Sequence, residues 1–396
     1  MPTTSHTNFA LFQSAFRPLF LLAGVAAATI VPVWLGIHYG ILAWPGSGMP
    51  LAWHGHEMIY GFAAAALGGF LLTAVANWTA TPFLSGPPLM ALAGVWVLGR
   101  IAMLLSGLLS PWLIALADIL YLPGLMMAVA RPLLRVDQPN RNRLFLVLLG
   151  VLVAGNLLVH GELAGFAPTA QAGIRLGLYG LLTAMAIIGG RIIPSFTING
   201  LRMIRVPFQP TFRPWVERIA VPAVILTGLA DAFLPDTPAV AVLGIGAGAI
   251  HLLRLSGWGG WKTGPVPLLW VLHFGYGWLG LGLMLRGLAA LTPLVPGSAA
   301  LHALAVGAAG MLILGVMTRA ALGHSGRSLV PARTVVIAYG LILVAAVFRV
   351  FGPIVWPDWS GPAILISGAA WTLGFAAFVA VYAPILWKPR IDGQPG

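Results

Sequence analysis

The chain has 396 residues, of which 59% are hydrophobic and 8% charged, with a formal net charge of +12 and a mean hydropathy of +0.94. A soluble domain carries roughly 25% charged residues, so this composition excludes one and requires apolar surface facing lipid. The lack of any cysteine excludes disulfides, thiolate-held iron–sulfur clusters, CxxC zinc sites and thiol catalysis.

A membrane-spanning helix takes roughly 20 apolar residues, and the apolar runs between Pro, Gly and charged residues predict twelve spans. The first is Leu19–Tyr39 and the second His56–Trp78. A tight hairpin follows, Leu89–Leu108 and Pro111–Ala130, then Leu144–Val159 and Ile174–Ile193. The remaining six are Val216–Phe233, Val240–Leu255, Leu268–Leu288, Ala299–Ala320, Thr334–Val350 and Ala363–Leu386, the seventh and eighth being the weakest of the set. The first run lacks an A-x-A cleavage site and reads as a retained helix. With the N-terminus inside, all 21 Lys and Arg residues except Arg100, Arg175, Arg286 and Arg349 fall on the cytoplasmic side. The acids Glu57, Glu162, Asp231, Asp236 and Asp358 lean outward. Such a bias predicts cytoplasmic N- and C-termini and accounts for the net charge without a nucleic-acid partner. The expected fold is all-α: one polytopic transmembrane bundle over residues 1–396, lipid being its surroundings. Small residues such as Gly68-Gly69, and Gly307 with Gly310, allow close helix packing.

With so few charges, the nine histidines carry the chemistry. His6 lies in a tail and His38 ends the first span. His54, His56, His160 and His302 fall at or just below the outer face. His251 and His273 sit in the eighth and ninth spans at similar depth, and His324 follows the tenth on the inner side. Two groups are therefore expected, an outer and an inner one. His302 and His324, 22 residues apart along one helix, are separated by about 33 Å and cannot share a metal. Neutral imidazole is a ligand for haem iron, copper and zinc and survives burial without a charge penalty. His54 and His56 share a face if extended but diverge by about 200° if helical, so they chelate one copper, serve two cofactors, or form a capping turn with Glu57 behind it. His160 is a further metal candidate, and His251 and His273 either ligate or hydrogen-bond between helices. Arg100, Arg286 and Arg349 fall in the outer parts of their spans, where an unpaired guanidinium costs several kcal/mol; haem propionates suit them as bidentate partners. Asp118, read as the only acid clearly within a span, pairs most simply with Arg100. No GxxxxGKS loop, GxSxG elbow or HExxH helix is present, so nucleotide hydrolysis, serine hydrolysis and zincin chemistry have no support.

Several stretches resemble the NnrS family: Phe16-Arg17-Pro18-Leu19-Phe20, Trp53-His54-Gly55-His56-Glu57-Met58, and Gly190-Arg191-Ile192-Ile193-Pro194-Ser195-Phe196-Thr197 with Asn199-Gly200. Trp270-Val271-Leu272-His273, His302-Ala303-Leu304-Ala305-Val306-Gly307, and Leu322-Gly323-His324-Ser325-Gly326-Arg327 continue the match in order. One departure is Ser325, where the family form has Thr; the hydroxyl is kept. The resemblance implies a twelve-span protein of the bacterial inner membrane, holding haem b and copper and acting in nitric oxide metabolism or tolerance. It also implies that His54, His56, His251, His273, His302 and His324 are motif histidines. The expected activity is an oxidoreductase that couples two nitric oxide molecules to nitrous oxide. It would draw electrons from an external quinol or cytochrome, since no soluble cytochrome domain or CxxCH site is present, and protons through Glu57 and Glu162. The alternative is a non-catalytic haem and copper protein that senses, buffers or delivers nitric oxide or metal. A transporter is a third reading.

Overall fold

The structure, a computed structural model, describes residues 10–135 and 141–394; His6 lies outside them. Proline opens much of the architecture. Its fixed φ and missing N–H suit the first helical turn, and Pro50, Pro87, Pro111, Pro214, Pro238 and Pro267 each sit there. The helices are α1 (Phe16–His38), α2 (Pro50–Thr79), α3 (Pro87–Leu104), α4 (Pro111–Arg135), α5 (Arg141–Leu163) and α6 (Ala170–Met203). They continue with α7 (Pro214–Phe233), α8 (Pro238–Ser256), α9 (Pro267–Ala289), α10 (Gly297–His324), α11 (Arg333–Val355) and α12 (Pro357–Trp387). Eleven are long and apolar enough to cross a membrane. The twelfth, α7, has the length at 20 residues but carries Glu217, Arg218 and Asp231. No strand occurs among the described residues. The protein is an all-α, multi-pass membrane protein.

Sequential helices pack as antiparallel neighbours, and α1 packs on α12 to close the assembly. Arg17 fastens that closure: its Nη1 donates to the carbonyls of Leu386 at 3.0 Å and Lys388 at 2.6 Å, at the end of α12. Both described ends of the chain thus lie on one face, here the terminal face; the opposite one is the far face. Burial separates core helices from rim helices. In α2, α6, α9 and α10, 72–78% of the central window is buried, against 33–44% in the other eligible spans. Most of the candidate histidines ride on these four core helices.

Several boundaries shift by a few residues, and two of the shifts bear on the candidate residues. The second span begins at Pro50 rather than His56, because Pro50 starts the helix. His54 and His56 are therefore helical, not an interfacial turn. The sixth span continues through Pro194 to Met203, 34 residues in all, so the Gly190–Gly200 motif is helix rather than a following loop. In addition, α2 and α10 are widened by π turns over Glu57–Ala63 and Ala303–Gly310, each directly after a histidine, His56 or His302. Such turns interrupt regular α geometry and recur at functional sites.

Candidate cofactor and metal sites

Helical geometry separates the two histidines of the His54-Gly55-His56 motif, as a step of about 200° requires. They do not form one chelate. His54 turns toward the bundle interior, where a cavity of about 380 Å³ opens in the far half between α1, α2, α6, α10, α11 and α12. His302 lines the same cavity from α10. The His302 Nδ1–H donates to the Ser298 carbonyl at 2.7 Å, which leaves Nε2 as the bare nitrogen. His54 stacks on Trp34, ring centroids 4.8 Å apart at 16°, and its Nδ1 is buried without a partner. The walls are Met58, Phe62, Ile174, Leu178 and Trp371; the polar rim includes Arg175, Arg349, and Arg286 paired with Asp236. An orphaned imidazole nitrogen, apolar walls and a cationic rim together suit a flat apolar cofactor with carboxylate arms.

The arginines differ in how they are satisfied. Arg286 is held by Asp231, with Nε to Oδ2 at 3.0 Å and Nη2 to Oδ1 at 2.6 Å, and by Asp236 at 2.8 Å. Tyr179 donates its hydroxyl to Asp231 at 3.0 Å, and Arg175 lies 3.8 Å from it. Arg349 has no carboxylate or carbonyl partner among the described residues.

His56 turns the other way, into a buried polar cluster with α3, α4 and α5. His56, Asp118 and His160 offer ligand atoms within 4.8 Å of one another. His56 Nε2 is 3.1 Å from Asp118 Oδ2 and 2.8 Å from Asn156 Oδ1. Asn156 itself donates to Asp118 Oδ2 at 2.8 Å, so both neighbours of His56 Nε2 are acceptors and that nitrogen carries a hydrogen. His160 Nε2 donates to the same oxygen at 2.8 Å, leaving its buried Nδ1 unpartnered. Arg100 binds the other oxygen of Asp118, donates Nη1 to the Tyr60 carbonyl at 2.9 Å, and places Nε 3.0 Å from Glu57 Oε2. Glu57 Oε1 is 3.0 Å from His56 Nδ1. The expected Arg100–Asp118 pair is present, inside a larger network. Asp118 is not the only acid within a span, since Glu57 and Asp231 are buried as well. Each stands within three residues of an expected span end, at His56 or Phe233, and membrane depth and helix phase are invisible in a residue list. Glu162 stands apart: it accepts from the Ala170 N–H at 2.7 Å and caps α6.

The expected inner histidine group does not assemble. His251 has both nitrogens engaged, Nδ1 with the Tyr276 hydroxyl at 2.8 Å and Nε2 with the Ala220 carbonyl at 3.0 Å. His273 Nδ1 donates to the Leu269 carbonyl at 3.0 Å, and its Nε2 lies 3.3 Å from the Trp258 carbonyl and 3.5 Å from Thr197 Oγ1. It borders a separate, open cleft between Trp261, Trp270 and Trp278. His324 lines a third place, a cavity of about 430 Å³ at the terminal face. At the ends of one helix, His302 and His324 serve different sites, as their spacing requires.

No curated protein matches the chain. It does match the NnrS protein family over residues 10–390, nearly its whole length and all the sites just described; it belongs to that family, and its role lies in nitric oxide metabolism or response.

Proposed function

We propose that this protein is a membrane oxidoreductase that reduces nitric oxide to nitrous oxide, with haem b in the far-half cavity and copper at the His56–Asp118–His160 cluster. The observation that carries the reading is the pairing of His54 and His302 across one cavity whose rim holds the unpartnered Arg349. His302 is the better-oriented haem ligand, since its Nδ1–H is already donated to a carbonyl and the tautomer is thereby fixed. Arg349 would take a propionate. Two imidazoles and a carboxylate are a donor set that suits copper(II), and Arg100 on Asp118 Oδ1 leaves Oδ2 directed at both imidazoles. When bound, haem iron and copper would supply sites for nitric oxide and one-electron exchange.

The chain's own residues handle the protons. Without metal, a hydrogen on each nitrogen of His56 gives the cluster two positive groups, Arg100 and His56, and two negative ones, Glu57 and Asp118, so the charges cancel out of water; copper at this cluster would displace the Nε2 hydrogen and leave the one on Nδ1 facing Glu57. The proton between His56 Nδ1 and Glu57 Oε1 is the mobile one, because every other polar contact in the network is fixed by a single donor. Glu57 lies on α2, the helix that also carries His54, and it delivers the proton toward the cavity. Glu162, tied to the start of α6, serves as the surface end of that route.

The second reading, a non-catalytic haem protein that senses or buffers nitric oxide, is favoured by one geometric fact. His54 and His302 flank the same cavity, and a haem held by both would be a carrier or sensor rather than a site for nitric oxide turnover. The deciding experiment is purification in detergent, a reduced spectrum with metal analysis, and anaerobic nitric oxide with an artificial electron donor. One nitrous oxide formed per two nitric oxide consumed supports the reductase. Haem and copper without turnover supports sensing or buffering, and a preparation with no haem ends both readings.

A further inference from the structure

The terminal-face cavity has a composition unlike the first. Phe16, Phe20, Phe70, Trp78 and Phe196 supply flat aromatic walls, while the polar side chains that reach it are donors or neutral: Asn77, Arg191, Arg319 and His324. Among the described residues, no carboxylate lines it. Arg319 lies over the Phe196 ring, 3.7 Å from its centroid, which holds the guanidinium at the wall without a carboxylate partner among the described residues. Asn77 uses its Nδ2 on the Thr73 carbonyl at 2.9 Å and keeps its oxygen free. The His324 ring packs 5.5 Å from Phe16, with no side-chain hydrogen bond to a described residue. A third, apolar pocket, here the neck, lies between this cavity and the far-half one and shares wall residues with each. Phe20, Phe70, Ile188, Ile192 and Val316 belong to both the neck and the terminal-face cavity, and Ala63 and Leu181 to both the neck and the far-half cavity.

We propose that the terminal-face cavity binds a membrane quinol, its ring between the aromatic walls and its oxygens on His324, Asn77 and Arg319. A quinone ring is a flat apolar body with an acceptor oxygen at each end, and its reduced form adds a hydrogen to each. His324 and Asn77 accept those hydrogens in the quinol, and Arg319 donates to the carbonyl of the quinone, so both redox states find partners. The assignment rests on the reductase reading for its purpose. Oxidation of the quinol to the quinone releases two electrons and two protons. His324 takes the two protons one after the other, each leaving at the terminal face before the next is accepted. The two electrons, with two protons, convert two nitric oxide molecules to nitrous oxide and water.

The test is photolabelling of the full-length protein in detergent by an azido-substituted short-chain ubiquinone, with the labelled peptides mapped by mass spectrometry. Label is expected on the α2 segment around Trp78 or the α10 segment around His324, competed by unlabelled ubiquinone. Arg319→Leu and the milder Asn77→Ser should each weaken binding on the order of tenfold and slow quinol-driven turnover, while turnover with an artificial donor is kept. Label no greater than in a lipid-vesicle control overturns the assignment. So does label competed by phosphatidylglycerol but not by ubiquinone, which makes the cavity a lipid site, and so does loss of haem in His324→Ala, which makes it a haem site. Quinone binding in a protein that never turns over nitric oxide retains this site and removes the reductase reading, so the two failures are distinguishable.

Discussion

Four arginines depart from the rule that basic residues gather on the terminal side, and three of them are explained by acids. Arg100 meets Glu57 and Asp118, Arg286 meets Asp231 and Asp236, and Arg175 approaches Asp231. Arg349 meets none, and that difference separates a structural guanidinium from one awaiting an anion. Removing one member of a buried charge network leaves its partners uncompensated, at about 3–5 kcal/mol. Asp118→Ala is therefore expected to lower the thermal unfolding midpoint in detergent sharply, as it strands Arg100, His56 and His160 together; an unchanged midpoint would show that the cluster adds nothing to stability. The histidines divide by the same accounting. His302→Ala should abolish haem absorbance with normal membrane insertion, whereas His251→Ala should keep it and lose only about 1–3 kcal/mol of stability, because the Tyr276 hydroxyl, though still accepting from Arg254, loses its acceptor and the Ala220 carbonyl its donor. Full haem content in the His302 variant would refute that ligand assignment. The candidate residues were readable in the sequence because histidine is conspicuous where charge is scarce. Their pairing was not, since whether His54 meets His56 or His302 depends on helix phase and on which spans neighbour each other.

Elements set that phase. In both α2 and α10 the histidine comes first, a π segment follows, and an ordinary helix completes the crossing. A π turn amounts to one residue inserted into an α-helix, so deleting Ala63 should restore α geometry and rotate His54 and His56 by about 100° against the rest of α2. Haem and copper content are expected to fall together while circular dichroism keeps its helical signal; retention of both cofactors would show that the π turn does not aim these rings. Glycine acts at a different contact than the sequence suggested. Around Gly307 and Gly310 a Cβ would meet the rings of Trp278 and Trp371, so those glycines accommodate aromatic side chains. Backbone-to-backbone approach occurs instead between α8 and α9, where a Cβ on Gly248 would stand 2.5 Å from the Gly280 carbonyl and one on Gly244 would stand 2.9 Å from the Leu283 carbonyl. Gly248→Val is expected to push these helices apart and cost about 1–3 kcal/mol, seen as a lower unfolding midpoint; no change would mean that the pair can slide freely. The helix count was legible because apolar runs of spanning length are bounded by proline and charge. The lengths of α2 and α6 were not, because Pro50 and Pro194 read alike in sequence, yet one opens a helix and the other is carried inside it.

For the whole molecule, charge and burial point along the same axis. The terminal face collects Arg131, Arg135, Arg141 and Arg143 around the α4–α5 junction, and Arg202, Arg205, Arg213 and Arg218 around the α6–α7 junction. The acids of the far half are largely spent on neutralising Arg100, Arg175 and Arg286 within the bundle. An insertion machinery that retains short basic loops on the cytoplasmic side would therefore leave the terminal face inside and the far-half cavity, with His54 and His302, toward the outside. Reporter fusions decide this. After Trp387, a fluorescent protein that matures only in the cytoplasm should glow and an alkaline phosphatase that folds only outside should be silent, with the opposite pattern in the α5–α6 loop near Gly165. Reversed signals would place the quinol cavity outside and the His54–His302 cavity inside. Nitric oxide would then reach its site from the cytoplasmic half, and Glu162, which caps α6 on the far face, would draw its protons from the cytoplasm instead of from the outside.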